Sequence, residues 1–359
     1  MVKAHPKFKT PTMRRTSRIF LTDLNKSKTE ALKNFLYKCH DLTQYFVDLF
    51  WQSGDKTAKM ANLETIHKGR DKFQTTTRLS QTLAKQAKEI IRDRMNNRKP
   101  RLKKHTTTLY YHFVTIEKFK GSFDYAINLI GSGAPRMTLP VKSTKHLNNK
   151  LKNGWTIGKS IRLGLEDKRL FVDLILEKPR PALREKGRIL GMDSNYKHGM
   201  VFSDGRMIGE DIYARIQEFN KRQKHTHAEC ESLMFDALNK MDWSGIRTLI
   251  VEDLKYVKYR GKFPRRLNRR MSNWLYASIM GWLSHRCEEL GIRLEKKNPW
   301  KTSQRCSVCG KWDRRSRRGD KFICVHCGHS DQADLNAAKN LEFLGLAGVY
   351  GLRSLPSSE

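Results

Sequence analysis

Residues 306–338 read Cys306-Ser307-Val308-Cys309, a fourteen-residue connector, Cys324-Val325-His326-Cys327 and, after six more residues, Asp334-Leu335-Asn336-Ala337-Ala338. Two Cys-x-x-Cys pairs at this spacing bring four soft sulfur ligands to the corners of a tetrahedron, the arrangement of a closed structural zinc site with no open position for substrate. One Zn²⁺ is therefore expected on Cys306, Cys309, Cys324 and Cys327, shaping the chain without reacting. The acid just beyond predicts that this ribbon, residues 300–330, is an insertion in a larger catalytic fold whose chemistry lies on either side of it.

Two further acids lie upstream. Arg188-Ile189-Leu190-Gly191-Met192-Asp193 and Thr248-Leu249-Ile250-Val251-Glu252-Asp253 each read as an apolar strand ending in a carboxylate. Asp334 falls in the first turn of an expected closing helix, Ala333 to Leu346. Strand ends that meet a helix start can gather three carboxylates, and such a self-repelling cluster suits hard divalent cations, with Mg²⁺ preferred for phosphate chemistry. Two such ions about 4 Å apart activate water and steady the leaving oxygen of a phosphodiester. Asp193, Glu252 and Asp334 are accordingly the candidate catalytic and metal-binding residues. A lone acid after an apolar strand is ordinarily a turn or cap residue; the company of three points to chemistry. Asp253, adjacent to Glu252 but pointing to the other side of the strand, and Asp331 are the rivals.

Composition narrows the partner. The chain has 71 basic and 36 acidic residues, a formal charge of +35, which implies a working life against a polyanion, nucleic acid above all. A basic ribosome-associated or membrane-surface protein is the plainer alternative. A length of 359 residues with 38% hydrophobic content predicts two or three domains with real cores. Of seven cysteines, Cys39, Cys230 and Cys287 lie outside the ribbon, and an odd remainder argues for a reducing interior over a disulfide framework. The N-terminal residues lack the apolar stretch of an export signal, and no apolar run approaches a membrane span. A soluble, cytoplasmic protein with no membrane partner is expected.

Ser17 to Asp23 reads as a strand and Ser27-x-x-Glu30 as a capping box. Leu32, Phe35, Leu36, Cys39, Leu42, Phe46, Leu49 and Phe50 then form an apolar helical stripe, and Leu79, Leu83, Ala87, Ile90, Ile91 and Met95 a second, with Arg78, Lys85, Lys88, Arg92 and Arg94 on its outward face. Pro100 marks a boundary. From Thr106 to Glu177 the period becomes two, suggesting a small β-barrel whose first strand is the isolated one near residue 20 and into which the two helices are inserted; a separate β domain fits nearly as well. After residue 188 strands and helices alternate: strands at 188–193, 198–204, 207–212, 248–253 and 292–295, and helices ending near Met241 and spanning 274–290. The class is α/β and multidomain.

Two basic segments stand out. Lys255, Lys258, Arg260, Lys262, Arg265, Arg266, Arg269 and Arg270 interleave with Tyr256, Tyr259 and Phe263 directly after Glu252. They read as phosphate and base contacts for a single strand, or else as a solvated loop. Arg314 and Arg315, with Arg317 and Arg318, form a second candidate phosphate contact at the ribbon tip.

The blocks Ile189-Leu190-Gly191-Met192-Asp193, Ile250-Val251-Glu252-Asp253-Leu254, Thr302-Ser303-Gln304-x-Cys306, Cys324-x-x-Cys327-Gly328 and Asp334-x-Asn336-Ala337-Ala338-x-Asn340 together resemble the transposon-encoded TnpB proteins, compact relatives of the type V CRISPR effectors. Met137-x-Leu139-Pro140 and Lys159-Ser160-Ile161-Arg162-Leu163 extend the resemblance upstream. It implies an RNA-guided DNA endonuclease, monomeric on its guide RNA, that cuts target double-stranded DNA beside a short adjacent motif. The implied order is a wedge-like β-barrel (1–28 and 105–187) with an inserted helical recognition lobe (29–104), then a RuvC-like, RNase H-like nuclease domain (188–359) using two Mg²⁺. Asp193, Glu252 and Asp334 match the family's catalytic carboxylates, and the four ribbon cysteines its zinc ligands. Two positions depart from the pattern. Asn195 stands where glycine is usual, and is expected to reach left-handed geometry if required; Ala333 stands where arginine is common. A nuclease-disabled, guide-directed repressor and a DDE-type transposase are the alternative readings.

Overall fold

Asn25 starts the first long helix of the chain. The strand before it, β1, spans Thr12–Phe20, and the Asn25 side chain accepts from the Lys28 amide at the head of α1, Lys26–Gln52. The cap is thus one residue before the helix and not the Ser27 box, because an asparagine carbonyl satisfies an orphan N-terminal donor as well as a serine does. The computed structural model describes residues 11–54, 61–93, 98–119, 121–195, 198–210, 227–254, 276–298 and 300–350. These divide into two units, Met1–Pro179 and Arg180–Glu359.

In the first unit, helices α2 (Leu63–Lys72) and α3 (Thr77–Arg92) pack on α1. The strands follow: β2 (His105–Leu109), β3 (Val114–Lys118), β4 (Tyr125–Leu129) and β5 (Met137–Val141), then helix α4 (Lys145–Lys152), β6 (Thr156–Glu166) and β7 (Arg169–Pro179). One antiparallel sheet runs β1-β7-β6-β2 and another β3-β4-β5. Among the described residues no barrel closes. β1 and β2 end the first sheet without pairing each other, and α1 lays its apolar face over β2 and β6 where a closing ladder would have run. Leu32, Leu36, Leu42 and Phe46 of α1 share one core with Leu109, Ile127, Leu163 and Leu174 of the strands. Each contributes about 1.5–3 kcal/mol by leaving water.

Lys88 corrects the expectation for α3. It lies on the helix's buried side, 4% exposed, with its ammonium 4.8 Å from the centre of the Phe50 ring. The ring's negative face accommodates a cation that helical period alone would have sent outward. Asp173 on β7 is also buried, held by Arg18 (2.8 Å) and Arg162 (2.6 Å). Burial alone would push this carboxyl up, but the hydrogen bonds from the two guanidinium groups carry it below 3.8.

The second unit is built on β8 (Arg188–Asn195), β9 (Gly199–Phe202), β10 (Met207–Ile208), helix α5 (His227–Asn239), β11 (Ile246–Glu252), helix α6 (Tyr276–Leu290) and β12 (Arg293–Lys297). Its sheet order is β10-β9-β8-β11-β12, with β8, β11 and β12 parallel and the first two strands antiparallel. Residues just after Pro179 are tied to this unit by Arg184, whose Nη1 donates to the carbonyls of Trp243 (2.7 Å) and Ile246 (2.8 Å). A small sheet of β13 (Arg317–Arg318), β14 (Lys321–Ile323) and β15 (Ser330–Gln332) leads into the closing helix α7, Ala333–Tyr350. Helix α7 packs across β8 and β11.

Candidate active site

The register of two parallel strands places the first two acids. Gly191 pairs with Ile250 and Met192 with Val251, so one residue further on Asp193 stands beside Glu252 at the neighbouring-strand spacing of about 4.8 Å. Paired residues of parallel strands point to the same face. Gly191 and Asp193 share that face, and α7 covers it: a β-carbon on Gly191 would strike the carbonyl oxygen of Ala338, so the helix backbone lies directly on the strand there. Asp334 is one helical turn before Ala338, about 6 Å along the axis. Asp193 is two residues along the strand from Gly191, a nearly equal distance. The same close contact that needs a glycine therefore sets Asp334 across from Asp193.

The electrostatics agree with this placement. Burial and the charges of Glu252 and Asp334 push the Asp193 carboxyl well above 3.8, with Arg317 pulling the other way. Glu252 is raised from 4.5 by burial, against a hydrogen bond from Thr302 and the charge of Arg317. Both Asp193 and Asp334 are buried, at 7% and 1% exposure.

Neighbouring side chains hold the acids in place. Thr302 Oγ1 donates to Glu252 Oε1 at 2.9 Å, and Tyr276 donates its hydroxyl to the Glu252 carbonyl at 2.6 Å. Asn195 Nδ2 donates to Asp334 Oδ2 at 2.8 Å, Gln332 Nε2 to the same oxygen at 3.3 Å, and Arg317 Nη2 lies 3.0 Å from Oδ1. Asn195 does so from the extended end of β8, so the left-handed geometry considered for it is not what the position requires. Ala333 is buried against the ribbon beside Phe322, where the arginine common in the resembling proteins would not fit without repacking. Of the rivals, Asp331 is paired with Lys339 at 2.7 Å, and Asp253 donates its backbone amide to the Lys297 carbonyl at the strand end.

The ribbon is tied to the same helix. Asn336 and Asn340 of α7 donate to the Arg305 carbonyl, both at 2.7 Å, and Asn340 also reaches the Thr302 carbonyl at 2.8 Å. Cys306 and Cys327 sulfurs lie 3.7 Å apart and those of Cys309 and Cys324 3.5 Å apart. A tetrahedron with metal–sulfur bonds of about 2.3 Å separates its corners by about 3.8 Å, so the four thiolates fit one such ion. Gly310 and Gly328, each in the left-handed region and each donating its amide back to the first cysteine of its pair, make the two knuckles. Among the described residues, this is the one group of His, Cys, Asp and Glu whose ligand atoms gather within 4.8 Å.

Comparison with known proteins follows the same residues. The Cas12f1-like TNB domain model matches residues 276–341, which contain α6, β12 and the ribbon. A TnpB-like protein, aq_aa05 of Aquifex aeolicus (strain VF5), is 24% identical over 258 residues, covering 58% of this chain and 84% of that relative. The chain is similar to that TnpB-like protein over most of the relative's length. It is also similar to the CRISPR-associated endodeoxyribonuclease Cas12f1 of Sulfoacidibacillus thermotolerans, 38% identical over 98 residues. That match takes in 27% of this chain and 22% of the relative, so the chain spans about a fifth of it. A cryo-EM structure of a Cas12f1–sgRNA–target DNA complex aligns over 89% of this chain and 83% of that one, at 13% identity and a TM-score of 0.47.

Three groups around the carboxylates escape a reading of the sequence: Arg317, Thr302 and Gln332. Arg317 reads only as part of a basic ribbon tip. Arg315 there is engaged with Asp313 at 2.8 Å, its side chain 76% exposed, and Arg314 belongs to the same short turn, 314–316. The basic segment Lys255, Lys258, Arg260, Lys262, Arg265, Arg266, Arg269 and Arg270 lies outside the described residues. Among those described, no helix is long and apolar enough to cross a membrane.

Proposed function

We propose that this chain is an RNA-guided, Mg²⁺-dependent DNA endonuclease, with Asp193, Glu252 and Asp334 as its metal-holding catalytic carboxylates. The observation that carries the reading is the register of Asp193 beside Glu252 under the first turn of α7, with Asp193 pushed up by burial and by both partner charges. Concentrated, buried negative charge in a chain of +35 is a place for hard cations. Bound there, Mg²⁺ supplies an activated water and a stabilised leaving oxygen for phosphodiester hydrolysis. The chain's own residues do the positioning. Thr302 orients Glu252, Asn195 and Gln332 orient Asp334, and the Arg317 guanidinium offsets the charge of the cluster.

On this reading residues 188–359 are a RuvC-like, RNase H-like domain, and one structural Zn²⁺ on Cys306, Cys309, Cys324 and Cys327 fixes the ribbon that carries Arg317. Residues 1–28 and 105–187 form the wedge region and 29–104 the helical recognition lobe. The partners are a guide RNA and target double-stranded DNA next to a short motif, one chain per guide, in a prokaryotic cytoplasm and associated with a transposon. Arg314, Arg315 and the Lys255–Arg270 segment contact phosphates. The +35 charge and the endodeoxyribonuclease relatives support this. One observation favours a second reading, a guide-directed binder with weak cutting: both oxygens of Asp334 are engaged by protein donors.

The purified complex separates the two. RNA of defined length should co-elute, and a guide-matched plasmid should be cut when Mg²⁺ is added. Co-eluting RNA with a bound but uncut plasmid would select the second reading.

A further inference from the structure

Beside the carboxylates, but not part of their hydrogen-bonding shell, two tryptophans share one ammonium group. Lys301 Nζ lies 2.9 Å from the ring centre of Trp312 and 4.0 Å from that of Trp300. Both indoles are exposed, Trp300 at 65% and Trp312 at 41%. Solvent exposure of two large aromatic faces goes against the hydrophobic effect, and two in one place, held by a cation, make a preformed surface. Lys301 itself has φ 59°, the left-handed region that a lysine rarely adopts. Strain of this kind persists only where the surrounding structure enforces it. Here the enforcement is visible: the Lys301 carbonyl accepts from the amides of Gln304 (3.1 Å) and Arg305 (3.0 Å), and Asn298 Oδ1 accepts from the Trp300 amide at 3.0 Å.

The position of this surface is fixed by the next residue. Thr302 donates to the Glu252 carboxylate at 2.9 Å while its carbonyl is held by Asn340 of α7. The lysine that joins the two indoles is therefore one residue from a group that touches the acidic centre. Arg305 is near enough for its charge to act on the Lys301 ammonium, so a second cation stands beside the aromatic pair. Every nucleobase has a π-face, and aromatic rings bordered by cations are the means by which proteins hold unpaired strands without reading their sequence.

We infer that Trp300 and Trp312, bridged by Lys301, form a stacking platform for an unpaired DNA nucleobase, holding a single strand so that its neighbouring phosphate reaches the Asp193–Glu252–Asp334 centre. The inference deepens the nuclease reading and rests on it for the purpose of the platform, though not for its binding. Lys301 supplies the phosphate or base-edge contact, and the indole faces supply the stacking.

The test is titration of the full chain, zinc-loaded and without added Mg²⁺, with a single-stranded oligothymidylate and with an abasic oligomer of the same length, following tryptophan emission and affinity. Oligothymidylate should quench the emission, and the abasic strand, of equal charge, should not. Trp300→Leu should lose that quenching and weaken binding about tenfold, whereas Trp300→Phe, which keeps an aromatic face, should bind within about threefold of the parent. Equal quenching by the abasic strand, or Trp300→Leu binding as the parent does, overturns the inference. The two readings fail separately. A chain that stacks oligothymidylate but leaves a guide-matched plasmid uncut keeps the platform and loses the nuclease. A chain that cuts the plasmid as fast with Trp300→Leu as without it, and binds oligothymidylate equally well, keeps the nuclease and loses the platform.

Discussion

Gly191 on β8 touches the carbonyl of Ala338 on α7 so closely that no β-carbon fits between them. A strand and a helix are usually held apart by side chains at about 10 Å; here the missing side chain lets the backbones meet, and the carboxylates one step along each element come with them. Gly191→Ala must push α7 away from β8. The collision is with backbone, which cannot rotate aside, so the destabilisation should fall at the upper end of overpacking costs, about 3 kcal/mol. A urea titration measures it. Nuclease activity should fall further than stability explains, because Asp334 moves with the helix.

Asn195 gives the opposite kind of change, a loss of orientation without a change of fold. Its amide is one of three donors to Asp334. Asn195→Ala should leave the unfolding transition where it is and weaken Mg²⁺ binding about tenfold, the low end for groups that orient a metal ligand because Gln332 and Arg317 remain. Calorimetric titration of Mg²⁺ into parent and variant checks it. An unchanged affinity would mean that Asn195 does not position the ligand.

The raised carboxyl of Asp193 makes stability depend on pH in a definite direction. The folded chain holds this proton more tightly than the unfolded chain, whose Asp titrates near 3.8. Stability is therefore full below that value, falls as pH rises toward the folded pKa, and is level beyond it. Metal-free protein should accordingly lose thermal stability above pH 4 relative to Asp193→Asn, which carries no such charge. Added Mg²⁺ should raise the melting temperature of the parent more at pH 8 than at pH 5, since a proton and a cation compete for the same oxygens. Melting scans at the two pH values, with and without Mg²⁺, decide the sign.

Asp173 is a separate test within the first unit. Removing this buried carboxylate strands Arg162 and leaves Arg18 its pair with Glu166 at 2.8 Å, both guanidinium groups about 40% exposed and so partly relieved by water. Asp173→Ala should cost about 2–3 kcal/mol. Denaturant unfolding measures the loss, and a cost under about 0.5 kcal/mol would deny that the pair organises this sheet.

These residues also mark what the sequence could and could not convey. The strand–acid pattern at Asp193 and Glu252 and the helix start at Asp334 are periodic, local signals, and they led to the elements observed. The cysteine spacing was legible for the same reason. Register was not. The pairing of Met192 with Val251, which brings the two acids level, depends on the whole sheet. Arg317 is seventeen residues from Asp334, and only the fold-back of the ribbon joins them. Lys88 read as outward because helical period counts positions and not ring faces, so the Phe50 contact was invisible. Alternation in residues 106–177 announced strands able to pair but carried no information on closure, and α1 took the place of the closing ladder.

The central claim is that Asp193, Glu252 and Asp334 cut DNA as one metal-holding centre. Its most direct test is cleavage of a guide-matched supercoiled plasmid in Mg²⁺ by the parent complex and by Asp193→Ala, with target binding followed by mobility shift. The account predicts that the parent opens the plasmid, while Asp193→Ala binds the target with similar affinity and leaves it supercoiled, a loss of at least about a thousandfold in rate. Cleavage by Asp193→Ala at the parent rate would contradict it.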